Sequence, residues 1–103
     1  MDIIKKIQDW YKSNCNGDWE HSYGIEIETL DNPGWSVEID LNDTKCADKN
    51  FSKINIKNGD DDWIICKVSK NKFIGHGDPD KLETILKTFL NFCNREKGSA
   101  LEC

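Results

Sequence analysis

The sequence predicts an α+β domain in which five antiparallel strands lie between an N-terminal and a C-terminal helix. Apolar residues recur at helical spacing near both ends of the chain, and they alternate with polar residues in between. Short segments rich in Gly, Pro, Asn and Asp separate the alternating stretches, as expected for turns. The strands are expected to form an antiparallel meander with both helices packed on one face.

The first predicted element is an amphipathic helix. Its apolar side chains recur at helical spacing, at Ile3, Ile4, Ile7, Trp10 and Tyr11. Charged residues occupy the opposite side. The helix is expected to end near Asn16 and Gly17, because glycine readily adopts the left-handed conformation that terminates many helices.

The last predicted element is a second amphipathic helix. Asp78 is expected to cap its N-terminus and Pro79 to occupy its first position. Its apolar stripe consists of Leu82, Ile85, Leu86, Phe89 and Cys93. The end of this helix is expected near residues 95–98.

Between the helices the hydrophobic period changes to two, which is typical of strands with one buried face. One strand has its apolar residues at Tyr23, Ile25 and Ile27, and the next has them at Trp35, Val37, Ile39 and Leu41. Residues 31–34 join these two strands. Three shorter strands are predicted at about 51–57, 63–69 and 72–75.

The register of the first two strands determines where their charges lie. Their apolar residues are all odd-numbered, so they share a face only if paired residue numbers have an even sum. A loop of odd length, for instance 32–34, satisfies this rule and places Glu28 opposite Glu38 and Glu26 opposite Asp40. Like charges directly opposed destabilise a sheet by up to ~1 kcal/mol per pair. Binding therefore explains this carboxylate cluster better than stability does.

The candidate partner-binding surface consists of Trp19, Glu26, Glu28, Glu38 and Asp40. Exposed Trp beside acidic residues is typical of interface hot spots. Two alternatives stay open. Lysines of later strands neutralise the carboxylates as ordinary ion pairs, namely Lys53, Lys57 or Lys67. Alternatively, Trp19 folds back onto the core, since Trp is seldom left exposed.

Composition limits the class of partner. The chain has 103 residues and a net charge of -5, with a pI near 4.9 and a mean hydropathy of -0.70. An acidic chain without clustered Lys and Arg is not expected to bind nucleic acid. No apolar run is long enough to span a membrane, and Gln8 and Asp9 interrupt any signal-peptide core. We expect a cytoplasmic protein whose partner is another protein.

The cysteines give no pattern for a metal site. There are five of them, an odd number, and none is part of a Cys-x-x-Cys spacing, which disfavours a disulfide framework and a four-cysteine zinc site. Cys66 and Cys93 fall at apolar positions and are expected to be small buried side chains. The aspartates at 60–62 lack the spacing of a calcium loop. No metal or cofactor is expected.

An enzyme is the main alternative class. Its chemistry would use His21 with Glu20 or Cys15. Neither pair is accompanied by the third orienting group that activates a nucleophile, so catalysis is not expected. A binding module with a housekeeping partner is a third possibility. An enzyme predicts a concave pocket that encloses His21 and a carboxylate.

Several segments resemble the bacterial immunity protein 53 family. They are residues 16–37 with their two tryptophans and Pro33-Gly34 turn, Ile7-Gln8-Asp9-Trp10-Tyr11, Asp61-Asp62-Trp63-Ile64 and Asn71-Lys72-Phe73. The resemblance extends to about Cys93 and implies a cytosolic, non-enzymatic protein that protects a bacterial cell from a polymorphic toxin by occluding the cognate toxin domain. Residues 1–97 are expected to form one domain, and 98–103 resemble a cloning scar.

Overall fold

The computed structural model describes residues 2–94, in which three helices and five strands occur. In chain order they are α1 (Ile3–Asn14), α2 (Trp19–Ser22), β1 (Ile25–Leu30), β2 (Gly34–Asp40), β3 (Ile54–Gly59), β4 (Asp62–Ser69), β5 (Lys72–Gly77) and α3 (Leu82–Asn94). The strands form one antiparallel sheet, so the predicted α+β fold is confirmed. The helix end expected near 95–98 and the tail at 98–103 lie outside the described residues.

The order of the strands across the sheet is β1-β2-β5-β4-β3. A β1–β2 hairpin and a β3–β4–β5 meander join where β2 pairs with β5. A continuous meander would pair β2 with β3, so this part of the expectation is corrected. Ile39 of β2 lies opposite Phe73 of β5, and both side chains are fully buried. The pairing of β2 with β5 therefore places these two apolar residues at the centre of the sheet. Residues 41–53 connect β2 to β3, which lies at the far edge of the sheet.

The hairpin has the predicted parity but not the predicted register. Paired residues of β1 and β2 have an even sum, so each strand keeps its apolar residues on one face. Glu26 lies opposite Glu38, and Glu28 lies opposite Ser36. The expected pairs of Glu28 with Glu38 and of Glu26 with Asp40 are wrong by two residues.

Gly34 explains this shift. It is the first residue of β2 and pairs with Leu30, so the turn consists of residues 31–33 rather than 32–34. A Cβ atom added to Gly34 would collide with the backbone carbonyl oxygen of Gly77 on β5. Gly34 is thus needed where two strands approach closely, and the turn begins one residue earlier than expected.

The helices cover one face of the sheet. α3 packs on β2 and β5, and α1 packs on α3. Val37 and Ile39 are fully buried beneath them, and the ring centroids of Phe73 and Phe89 lie 5.3 Å apart. Ile27 was expected to be covered as well, but 42% of it is exposed because β1 is an edge strand.

Asp78 does not cap a helix as predicted, since α3 begins at Leu82. Its carboxylate accepts the backbone N–H of Asp80 at 2.8 Å and that of Trp63 at 2.9 Å. The carboxylate therefore holds the β5–α3 turn against β4. At the other end of the chain, α1 stops at Asn14, before the expected glycine.

Cys46 and Cys93 form a disulfide bond across 47 residues of sequence. It ties the connection at 41–53 to α3. The expectation that the cysteines form no disulfide is wrong for this pair, because a single bridge between distant residues leaves no spacing pattern. Cys66 is a buried free thiol, as expected.

Candidate partner-binding surface

The four carboxylates predicted to bind a partner lie together on the sheet face that points away from the helices. We call this group the acidic face, and it consists of Glu26 and Glu28 on β1 with Glu38 and Asp40 on β2. These residues alternate with the apolar residues that the helices cover, so strand geometry places them on one side. The two on the edge strand are exposed, and the two on β2 are half-buried.

Lys72 on β5 is the cation nearest to the inner half of the acidic face. Its Nζ lies 3.7 Å from Oε1 of Glu38 and 4.0 Å from Oδ1 of Asp40. Asp40 also has a structural role, since its Oδ2 accepts the backbone N–H of Gly24 at 2.9 Å. The side chain of Asp40 is only 19% exposed. The inner carboxylates are therefore partly neutralised and partly used by the fold.

The outer half keeps its negative charge. Within residues 2–94, no Lys, Arg or His nitrogen lies within 4.0 Å of the carboxylates of Glu26 or Glu28. Lys57 was one of the three lysines that could have neutralised these carboxylates. It forms an ion pair with Asp60 instead, at 3.8 Å. Glu26 also lies directly opposite Glu38. The edge of the sheet thus combines like-charge repulsion with exposed carboxylates, which suits a basic partner.

Trp19 is not an exposed side chain, and the interpretation of it as an interface hot spot is wrong. It belongs to the short helix α2 and is 3% exposed. Its Nε1–H donates to the backbone carbonyl of Asn42 at 2.9 Å, and its ring packs edge-to-face on Trp10 with centroids 5.9 Å apart. The core alternative for Trp19 is therefore correct.

The sequence pattern did not lead us to predict a cleft that lies on the same open face of the sheet. Its volume is about 440 Å³, and its lining includes Trp63 and Ile65 of β4 together with Asn32, Asn55, Lys57 and Asp60. The sequence does contain a signal for it. The run Trp63-Ile64-Ile65-Cys66 places apolar residues on both faces of β4, whereas an ordinary half-exposed strand alternates.

Two of the candidate catalytic groups, Glu20 and His21, belong to the short helix α2. His21 is exposed and does not line the neighbouring cleft of about 300 Å³ beside α2. Glu20 accepts the backbone N–H groups of Asn16 and Gly17 at 3.0 and 2.9 Å. Hydrogen bonds from backbone N–H groups, its own first, hold the pKa of Glu20 below its usual value. A carboxylate of lowered pKa is a weaker base, and these hydrogen bonds hold the turn before α2.

Lys81 bridges two carboxylates at the start of α3. Its Nζ lies 2.8 Å from Asp62 and 2.7 Å from Asp78. The hydrogen bonds that Lys81 donates, first to Asp62 and then to Asp78, raise the pKa of Lys81 to about 12. Asp62 is thereby held in an ion pair, with its pKa lowered chiefly by Lys81. This part of the 60–62 cluster is structural.

Other kinds of site are not found in the part of the chain that the structure describes. Among residues 2–94, no group of three or more His, Cys, Asp and Glu side chains is arranged to hold a metal ion. None of the helices described there has the length and apolar character required to cross a membrane.

The chain matches a known protein family. The family described as immunity protein 53 matches residues 4–94, which is nearly the whole chain. No curated protein and no solved structure shows significant similarity to the chain. The matched residues include both the acidic face and the cleft on the open face.

Proposed function

Since the chain belongs to the immunity protein 53 family, we propose that it binds a cognate toxin domain through its acidic face and blocks the toxin by occlusion. Family membership makes it an immunity protein and implies a protein toxin as its general partner. The proposed toxin is the C-terminal domain of a polymorphic toxin, and the proposed site of action is the cytoplasm. Inhibition is stoichiometric and involves no turnover.

The observation that carries this proposal is the uncompensated charge on the outer half of the acidic face. Glu26 and Glu28 are exposed on an edge strand and have no ion pair within residues 2–94. Glu38 and Asp40 extend the negative electrostatic potential from β1 to the neighbouring strand β2. A basic toxin surface is complementary to it, and such complementarity mainly accelerates association.

Binding to the cognate toxin domain, sought first among the products of neighbouring genes, tests the proposal. The wild-type protein is expected to copurify with that domain at a 1:1 ratio and to abolish its toxicity. Glu26→Lys together with Glu28→Lys should slow association by about tenfold or more at low salt and flatten its salt dependence. The reason is that exposed charges act over a Debye length of about 8 Å at physiological salt.

The matched control is Asp80→Lys together with Glu83→Lys. It changes the net charge by the same amount, but both residues are exposed at the start of α3 or just before it, away from the acidic face. This control should associate nearly as fast as the wild type. Equal effects of the two double variants would mean that net charge alone matters, and wild-type behaviour of both would place the interface elsewhere.

A further inference from the structure

The cleft on the open face lies at the end of the sheet where the β1–β2 turn meets β3 and β4. Asn32 of the turn forms one wall, and Asn55 of β3 forms the other. Trp63 and Ile65 of β4 supply its apolar lining. Its volume of about 440 Å³ lies in the range of pockets that take small ligands or single side chains.

One glycine leaves room for the Trp63 ring on this face. A Cβ atom added to Gly34 would lie 3.4 Å from Cζ2 of Trp63, so the indole reaches from β4 over β5 to the start of β2. Gly77 faces the helices instead, since a Cβ atom added there would lie 2.6 Å from Cβ of Lys81. The side chain of Trp63 is half-buried and forms the aromatic part of the cleft lining.

The backbone beneath the cleft is held in place. The N–H of Trp63 donates to Oδ2 of Asp78 at 2.9 Å, and the N–H of Asp78 donates to the carbonyl of Trp63 at 3.2 Å. Asp78 is fully buried and also bonded to Lys81. The cleft is therefore pre-formed, which reduces the ordering that a partner must impose on binding.

The charge of the cleft differs from that of the acidic face. Lys57 and Asp60 on its rim pair with each other at 3.8 Å, so their charges offset one another. The remaining polar walls are the side-chain amides of Asn32 and Asn55, which both donate and accept hydrogen bonds. A neutral cleft with an apolar lining and amide walls suits an apolar side chain whose backbone is hydrogen-bonded at the edge.

The cleft and the acidic face are parts of one continuous surface. Glu28 pairs with Ser36, Ser36 with His76, and His76 with Ile65. Adjacent strands are about 4.8 Å apart, so Glu28 and Ile65 are separated by about 14 Å. An ordinary interface buries about 800 Å² per partner, roughly 28 Å across. One partner of ordinary size therefore covers both.

We propose that this cleft receives an aliphatic or aromatic side chain of the same toxin domain whose basic surface contacts the acidic face. The inference rests on the proposed function and assigns a role to Trp63 and Ile65 within it. The acidic face steers the toxin into place, and the cleft retains it. A buried apolar anchor beside a polar, charged region is the usual division within a tight interface.

The test uses two variants of the cleft in the full chain. Asn55→Trp fills the mouth, and Asn55 is an exposed edge-strand residue that tolerates a large side chain. Ile65→Ala removes apolar contact area. Each should raise the dissociation rate from the toxin domain by at least about tenfold, as expected for an anchor position. Neither should change the salt dependence of association.

Ser52→Trp is the matched control for the added ring, because Ser52 is exposed and lies outside the cleft. It should dissociate at the wild-type rate. Circular dichroism and melting temperatures establish that the three variants are folded. The Glu26→Lys and Glu28→Lys double variant, run alongside, should show the opposite pattern, with slower association and a nearly unchanged dissociation rate.

The outcomes separate this inference from the proposed function. If the charge variant weakens binding but Asn55→Trp and Ile65→Ala dissociate like the wild type, the cleft is not an anchor site and the inference is overturned. If the wild type fails to bind the toxin domain at all, the proposed function itself fails. If the wild type sediments as a dimer that Asn55→Trp dissociates, the occupant is a second copy of this chain and the inference is again overturned.

Discussion

Asp78 is a fully buried carboxylate whose position in the fold depends on its charge. Its oxygens accept two backbone N–H groups and the ammonium of Lys81, at distances from 2.7 to 2.9 Å. The hydrogen bond from Lys81 is the main reason that the pKa of Asp78 is lowered to about 2. Burial opposes this shift, because it penalises the charged form.

The lowered pKa predicts a specific pH dependence of stability. A depressed pKa stabilises the fold above the ordinary value of 3.8, and this contribution is lost as the pH falls through about 2. Asp78→Asn should therefore be less stable than the wild type at neutral pH, with a difference that narrows below about pH 4. Urea denaturation of the wild type and Asp78→Asn between pH 7 and pH 2 measures this difference in stability. Asp80→Asn keeps its backbone N–H and serves as the control, and a difference that is equal at both pH values would contradict the prediction.

A second residue-level prediction concerns the like charges on the hairpin. Glu26→Gln removes the repulsion between Glu26 and Glu38 without breaking an ion pair in the described part of the chain. It should raise the free energy of unfolding by ~0.2–1 kcal/mol. Glu38→Gln relieves the same repulsion but loses the contact with Lys72 at 3.7 Å. It should therefore raise the free energy of unfolding by less than Glu26→Gln does. Chemical denaturation at low salt measures both, and destabilisation by Glu26→Gln would argue against repulsion.

At the scale of the elements, α3 packs closely on β5 at the position of a glycine. A Cβ atom added to Gly75 would lie 2.5 Å from Cγ2 of Ile85. Ile85 is fully buried, so it has little room to move. Close contact between this helix and the sheet therefore requires the absence of a side chain at that position.

We expect Gly75→Ala to destabilise the protein by about 1–3 kcal/mol, because overpacking forces the helix away from the sheet. Gly24→Ala is a suitable control, since an added Cβ meets nothing within 4 Å there. Thermal or urea unfolding of the two variants measures the difference. If both variants are equally stable, α3 is more mobile on the sheet than its packing indicates.

For the molecule as a whole, the two faces of the sheet differ in what covers them. One face is buried beneath the helices, and the other has the acidic face and the cleft. The Cys46–Cys93 bond strengthens the buried side by joining the 41–53 connection to α3. Lys49 reinforces this junction, since its Nζ donates to the carbonyl of Cys93 at 2.6 Å. Substitutions on the open face should therefore affect binding more than stability.

Removing the disulfide should lower stability substantially. A bridge that closes a loop with a separation of 47 residues restricts the unfolded chain by an amount worth ~4 kcal/mol. The Cys46→Ala and Cys93→Ala double variant, or reduction of the wild type, should show most of this loss in urea denaturation. Cys15→Ser, at an exposed free cysteine, is the control. An equally stable double variant would mean that packing alone holds the connection to α3.

The sequence by itself determined the fold class and the face on which most strand residues lie. Glu26 and Glu38 were correctly assigned to the face opposite Val37 and Ile39, because alternation depends only on backbone geometry within a strand. The even parity of the hairpin followed from the same rule. The α+β class followed from the change of hydrophobic period along the chain.

Only the tertiary structure decided the strand order, the two-residue register shift and the burial of Trp19. It also decided the Cys46–Cys93 bond and the cleft beside Trp63. Each of these depends on contacts between residues distant in sequence, where close approach and packing choose among arrangements that local periodicity leaves equivalent. A period of two selects the face of a strand but not its neighbour, and the neighbour determines which side chains meet.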